Sequence, residues 1–259
     1  MLRIIPHSAG FFSCCAVKLY RIIEFYKTNK SLPQEVDGSK QFNKYKNNNM
    51  VDITFDFFEH YNNIFIHLDI DKDANVISWD EQFVNFKKVD YKSIAPFVKK
   101  YFTPSITIKN IFNNLLLKYD INTDNCVGLY YRGTDKHSET KIDSFDSYYN
   151  KLTEIINKES NLTILLQTDS TQFLEYIKNK NLKNIIIITE NATSCTNNGI
   201  HNESSPYQNY INMHNLFATF LIISKCKYII CSSSNCSIWM MYYRENATNV
   251  YQNLNTEWL

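Results

Sequence analysis

From residue 126 onward the chain alternates short, nearly unbroken apolar runs with longer stretches whose apolar residues recur every three to four positions. The short runs are Cys126-Val-Gly-Leu-Tyr-Tyr, Leu162-Thr-Ile-Leu-Leu-Gln, Lys183-Asn-Ile-Ile-Ile-Ile-Thr and Lys227-Tyr-Ile-Ile-Cys. Runs of that length, rich in β-branched and aromatic residues, predict strands buried on both faces. Residues 145–157, 171–178, 210–224 and 237–243 have helical periodicity and predict helices between and after them. Strands alternating with helices predict an α/β fold with a parallel sheet covered on both sides.

The first half is less regular. Residues 2–6 predict a strand, Pro6-His-Ser-Ala-Gly10 a turn, and residues 12–26 a helix with Val17, Leu19, Ile22, Ile23 and Phe25 on its apolar face. Residues 34–52 are rich in Asn, Lys and Gln and predict a loop or insertion. Residues 64–70 alternate like a strand, and residues 93–102 and 105–119 predict helices.

Composition narrows the function classes. The chain has 259 residues, 44% of them hydrophobic, and a formal net charge of +1 without long single-sign blocks. A sizeable core is affordable, and a nucleic-acid footprint is not expected. The cysteine count is seven, which is odd, and no C-x-x-C pair occurs; a reduced compartment is the simpler reading. No apolar stretch reaches membrane-spanning length, and the N-terminal run is too short for a signal peptide. The expectation is a soluble, cytoplasmic protein, or a chain whose anchor has been removed. The abundance of Asn, Lys, Ile and Tyr points to an AT-rich genome; for a viral source, the compartment would be the host cytoplasm.

In parallel sheets ligands sit beyond the carboxyl ends of the strands. There the polar segments are Arg132-Gly-Thr-Asp-Lys136, Thr168-Asp-Ser170, Glu190 and Ser232-Ser-Ser-Asn235. Arg132 could grip a phosphate through two parallel hydrogen bonds. Asp135 could orient Arg132 or Lys136, and Lys136 could neutralise charge on a leaving diphosphate. A solvated surface ion cluster would have the same composition. Ser170 or Asp169 could cap the next helix; alternatively Asp169 could bind a ribose or acceptor hydroxyl. Ser233, Ser234 and Asn235 gather at a helix start, where free N–H groups and the helix dipole favour an anion, although a plain capped turn reads alike. In the loop 7–13, Gly10 lets a ligand approach the backbone, with Phe11 beside it.

Together these segments resemble the fucosyltransferase superfamily, the α1,6-fucosyltransferases and protein O-fucosyltransferases. Tyr130-Tyr-Arg-Gly-Thr-Asp-Lys136 is similar to the family's Arg-x-Thr-Asp-Lys segment, and Leu166-Gln-Thr-Asp-Ser170 to its Ala-Thr-Asp-Asp. Asn198-Gly-Ile-His-Asn202 resembles the Gly-x-His-Asn loop, and residues 223–235 the segment ending in Ser-Ser. The resemblance runs in register from Cys126 to Ser237. It implies a GT-B-like fold of two Rossmann-like halves with parallel sheets, residues 1–118 on the acceptor side and 119–259 on the donor side. It also implies a nucleotide-sugar donor of the GDP-fucose kind, a glycan or protein acceptor, inversion at the sugar carbon, and no cofactor or obligatory metal. By the same token Arg132 would hold the β-phosphate, Ser233, Ser234 and Asn235 would bind phosphate oxygens, Asp169 and Ser170 would lie near the donor, and His201 would shape its pocket.

The chain departs from the family at three places. Tyr130 stands where the family has histidine, Thr219 where it has the aspartate that reads the base, and Glu139 lies one position from its glutamate. The donor could therefore be another nucleotide sugar, or the protein could bind nucleotide or sugar without turnover. Sugar transfer needs leaving-group stabilisation, by a metal or by fixed cations and dipoles, and a base for the acceptor hydroxyl. Glu139, Asp135 and His7 are the candidates for that base. Asp69-Ile-Asp-Lys-Asp-Ala-Asn75 starts like a calcium loop, but Ala74 and Asp80 occupy positions that require Gly and Glu. A polar hairpin turn is expected there, with a metal-binding Asp-x-Asp as the alternative.

Overall fold

The computed structural model describes residues 1–47, 51–64 and 81–259. The acidic turn at 69–80 and all but the first residue of the strand expected at 64–70 lie outside the described residues. The first part of the chain forms β1 (Leu2–Arg3), α1 (Phe11–Asn29), β2 (Val36–Asp37), α2 (Thr54–Phe57), α3 (Tyr91–Tyr101) and α4 (Ile106–Lys118). Then follow β3 (Cys126–Tyr131), α5 (Phe145–Lys158), β4 (Thr163–Thr168), α6 (Thr171–Lys178), β5 (Ile185–Ile187) and α7 (Ile200–Glu203). The chain ends with α8 (Pro206–Lys225), β6 (Tyr228–Ser232), α9 (Asn235–Arg244), β7 (Val250–Leu254) and β8 (Glu257–Trp258).

The expected parallel sheet is present. Six strands run in the order β5-β4-β3-β6-β7-β8, all pairs parallel except β7 with β8. All six residues of β3 are buried, as a continuous apolar run at the sheet centre requires. Helix α8 presses on it so closely that a Cβ on Gly128 would lie 2.7 Å from Ile223 Cγ2. Serines start the helices: Ser105, Ser144, Ser170, Ser205 and Ser234 each accept a backbone N–H in the first turn of α4, α5, α6, α8 and α9.

Two sequence expectations are corrected. The polar segment 34–52 is not all loop, because Val36 and Asp37 pair in parallel with Leu2 and Arg3. Strands β7 and β8 also add an edge that apolar patterning did not show. In the described part of residues 1–118 the sheet is this two-stranded pair, and helices make up most of the rest. These helices share a core with the large sheet: α1 and α3 pack on α9, and α4 on α8. Phe12 meets Phe217 at 5.4 Å and Trp239 at 5.8 Å between ring centroids, all buried.

The strand order positions the site. The chain leaves β3 outward through β4 and β5, then returns to lay β6 on the other side of β3. Connections diverge at that point, so a crevice opens beyond the carboxyl ends of β3 and β6. These ends are Tyr131 and Ser232.

Candidate functional site

A cavity of about 720 Å³ lies at this switch point. The loop 7–13 and Lys44 line one side; the ends of β3 and β4, the loop around His201 and the start of α9 line the other. Of the residues singled out in the sequence, Gly10, Phe11, Tyr130, Arg132, Asp135, Lys136, Glu139, Asp169, His201, Ser234 and Asn235 all reach its wall. Ser170 and Ser233 do not. Ser170 is buried and caps α6 through Phe173 N–H at 3.2 Å. Ser233 is buried, and its hydroxyl accepts from Gln252 Nε2 at 2.7 Å.

Arg132 is the hub. Its backbone N–H donates to Ser232 Oγ at 3.0 Å, tying the two strand ends together. Its guanidinium pairs with Asp135 Oδ1 at 2.5 Å. Nε lies 3.4 Å from Asp169 Oδ2, within ion-pair range but not aligned as a hydrogen bond. Burial disfavours this charge, yet Asp169 above all, with Asp135, holds the guanidinium protonated well above its usual range. Asp169 also shapes the loop: Oδ1 accepts Gly133 N–H at 2.8 Å and Oδ2 accepts Thr134 Oγ1 at 2.7 Å. Its carboxylate is thus fully used in building the Arg132 loop. Burial pushes the Asp135 carboxyl up, but the charge and hydrogen bond of Arg132 outweigh it and hold the group below its usual value.

Lys136 is buried, and its ammonium donates to Gln82 Oε1 at 2.8 Å and Glu139 Oε2 at 2.6 Å. Desolvation lowers its pKa from the ordinary lysine value. Glu139 is 44% exposed and lines the cavity. At the start of α9, Ser234 and Ser237 form a reciprocal capping box, Asn235 N–H donates to Gln82 Oε1 at 3.1 Å, and Asn235 Oδ1 is buried without a hydrogen bond. Burial foremost, then the charges of Lys44 and Arg132, push His201 down to about 4, so it is neutral at pH 7. His7 shares a hydrogen bond of 2.8 Å with Ser13 Oγ, and burial lowers its pKa too.

Sequence reasoning missed Lys44, Tyr45 and Gln82. Lys44 donates to Asn202 Oδ1 at 2.7 Å, and Tyr45 Oη accepts Phe11 N–H at 2.9 Å, fixing the 7–13 loop. These residues come from polar segments with no motif, so no local signal marks them. At another wall, Gln167 accepts from Asn191 Nδ2 at 2.7 Å, and the same amide reaches Thr219 Oγ1 at 2.9 Å. Among the described residues no cluster of three or more His, Cys, Asp or Glu side chains is arranged to hold a metal ion. None of the described helices is long and apolar enough to cross a membrane.

No family model and no curated protein matches the chain. Solved structures do match. A NodZ α-1,6-fucosyltransferase co-crystallised with GDP superposes with a TM-score of 0.58 over 94% of this chain and 91% of that one, at 11% identity. Fucosyltransferase NodZ from Bradyrhizobium gives 0.55 at 12% identity over the same shares. A NodZ α-1,6-fucosyltransferase soaked with GDP-fucose aligns over 59% of this chain and 47% of that one, with a TM-score of 0.40 at 11% identity. In that alignment the chain spans about half of the relative's length. The architecture is that of a fucosyltransferase-like α/β fold.

Proposed function

We propose that the protein is a glycosyltransferase that takes a nucleoside-diphosphate sugar, GDP-fucose first among the candidates, and moves the sugar to a hydroxyl of a glycan or protein. The observation that carries this reading is the convergence of Arg132, Lys136 and the start of α9 on one cavity at the switch point. Two fixed cations and a helix N-terminus can stabilise the charge that develops on a departing diphosphate. Arg132 would hold the phosphate nearest the sugar, with Asp169 and Asp135 fixing its direction. On this reading the loop 7–13 and Lys44, from residues 1–118, form the acceptor side, and residues 119–259 the donor side. Inversion without a metal ion fits a site whose leaving-group charge is met by protein cations.

Asp135 and Asp169 are engaged with Arg132 and its loop. Glu139 also has a cationic partner, Lys136 at its Oε2, but it is at the wall and nearly half exposed, which makes it the best placed base for the acceptor hydroxyl, with His7 as the alternative. A different base in the donor is the second reading, favoured by Thr219, which stands where the resembling enzymes have an acidic reader and lies buried behind the wall residue Gln167, joined to it through Asn191.

Thermal unfolding with GDP, UDP, dTDP and CDP, with and without Mg²⁺, tests this. A ligand at about 100 times its dissociation constant adds roughly 2.7 kcal/mol. A metal-independent shift with GDP supports the GDP-sugar donor, to be followed by turnover of GDP-fucose. A shift with another nucleotide changes the donor, and no shift with any of them removes the reading.

A further inference from the structure

The N-terminus of α9 and the Lys136 ammonium both favour negative charge, yet the one acceptor they share is a neutral amide, Lys136 having Glu139 as its other partner. Gln82 is buried, and its Oε1 accepts from Lys136 Nζ at 2.8 Å and from Asn235 N–H at 3.1 Å. Next to it, the ring of Phe83 lies 4.8 Å from the same ammonium. One carbonyl oxygen thus receives a buried cation and a helix-terminal amide, the donor pair an anionic oxygen would take. A further donor there lacks an aligned acceptor: Arg132 Nε is buried without a hydrogen bond.

We propose that the Gln82 side chain is an internal stand-in for a phosphate oxygen, occupying the anion subsite until a diphosphate displaces it. This rests on the nucleoside-diphosphate reading above and adds a regulatory element to it. Gln82 and Phe83 belong to a short 3₁₀ turn, Glu81–Phe83. That turn is anchored just downstream, where Gln252 accepts Phe86 N–H and donates to Val84 O, both at 2.8 Å. The Gln82 side chain can leave its donors while this anchor holds. Exchange is favoured because a phosphate oxygen adds its charge: it forms an ion pair with Lys136 and turns the neutral bond at the helix start into a charge-assisted one. The plug lowers apparent affinity by the fraction of molecules in which it is displaced. It also gives Lys136 a second hydrogen-bond acceptor beside Glu139.

The test is titration calorimetry of wild type, Gln82→Ala and Gln82→Glu with GDP, inorganic pyrophosphate and guanosine, beside melting curves without ligand. Gln82→Ala should bind GDP and pyrophosphate about tenfold more tightly, equivalent to about 1.4 kcal/mol, with guanosine unchanged. Gln82→Glu should raise the melting temperature of the free protein and weaken GDP and pyrophosphate by at least about tenfold, because a carboxylate holds the donors more strongly. If Gln82→Ala does not fold, the Glu variant decides alone: GDP affinity equal to wild type overturns the proposal. Unchanged or weaker GDP binding by a folded Gln82→Ala also overturns it, as does equal tightening of guanosine. Those outcomes leave the nucleotide reading standing. Failure of wild type and both variants to bind any nucleoside diphosphate or pyrophosphate removes that reading and the plug together.

Discussion

Replacing Arg132 by Ala should unbalance the site in a way that depends on pH. The side chains of Arg132, Asp135 and Asp169 are 20%, 22% and 13% exposed, so truncating the cation leaves two poorly solvated carboxylates beside each other. Breaking a fully buried pair costs about 3–5 kcal/mol and an exposed one about 0–1 kcal/mol. This triad lies between, and about 2 kcal/mol is expected at neutral pH. For a chain of this size that lowers Tm by roughly 4–8 °C. The sign of the pH effect follows from Asp135. In the wild type Arg132 holds its folded pKa below the ordinary value, so its stabilisation is present above that value and lost as pH falls through the folded pKa. Without Arg132, burial is left to push the Asp135 carboxyl up, and its protonation relieves the strain as pH falls. The Tm gap between wild type and Arg132→Ala should therefore be full at about pH 8 and narrow as pH falls through the ordinary carboxylate range to about pH 4. Arg132→Lys separates charge from shape: it should recover most of the Tm loss, because the charge returns, but not nucleotide binding, because the two-pronged grip does not. Differential scanning calorimetry at both pH values, with GDP titration of each variant, reads this out. An Ala variant as stable as wild type at pH 8, or a gap that does not change with pH, would refute the reasoning.

Three further outcomes follow from the same geometry. Asp169→Asn can still accept Gly133 N–H through one oxygen, but its amide group then faces Arg132 Nε; urea unfolding should show a loss of about 1.5–3 kcal/mol, and turnover should drop with it. His201, pushed down to about 4 by burial first of all, takes up its proton more readily in the unfolded chain, so it destabilises the fold as pH falls from about 6.5 toward 4; His201→Gln should flatten the fall of Tm across that window. In Gly199→Ala the new Cβ would overlap Asp135 Oδ2 and come within 2.7 Å of His201 Cε1, and the displaced Asp135 should weaken GDP binding about tenfold in calorimetric titration, a shift of about 1.4 kcal/mol.

The strands that carry the site were legible because each is an apolar run ending in a polar group, and the run alone decides that it is buried. Arg132, Asp169 and Asn235 follow such runs directly, and the structure brings them to one cavity. Strand β7 escaped notice for the opposite reason. Gln252 and Asn253 are polar yet almost fully buried, satisfied by Ser233, Phe86, Val84 and Asp143. Their partners lie far away in sequence, so hydropathy misassigns them to the surface. Gln82, Lys44 and Tyr45 were invisible on the same ground: each acts through one tertiary contact and none has a motif around it. The serines after β6 divide by geometry, Ser234 capping α9 at the wall while Ser233 turns inward to Gln252. No local pattern distinguishes adjacent serines that point to opposite sides.

The bond from Arg132 N–H to Ser232 joins residues 100 positions apart, and that from Asn235 N–H to Gln82 spans 153. Bonds of such sequence separation close only after the chain has met a large loop-closure entropy. The cavity therefore exists only once distant parts of the chain have come together. A ligand that needs all of these closures recognises the completed fold and nothing less, so its binding free energy accrues to the finished molecule alone. On the proposed reading, the supply of nucleotide ligand would govern how long the protein survives heat and proteolysis.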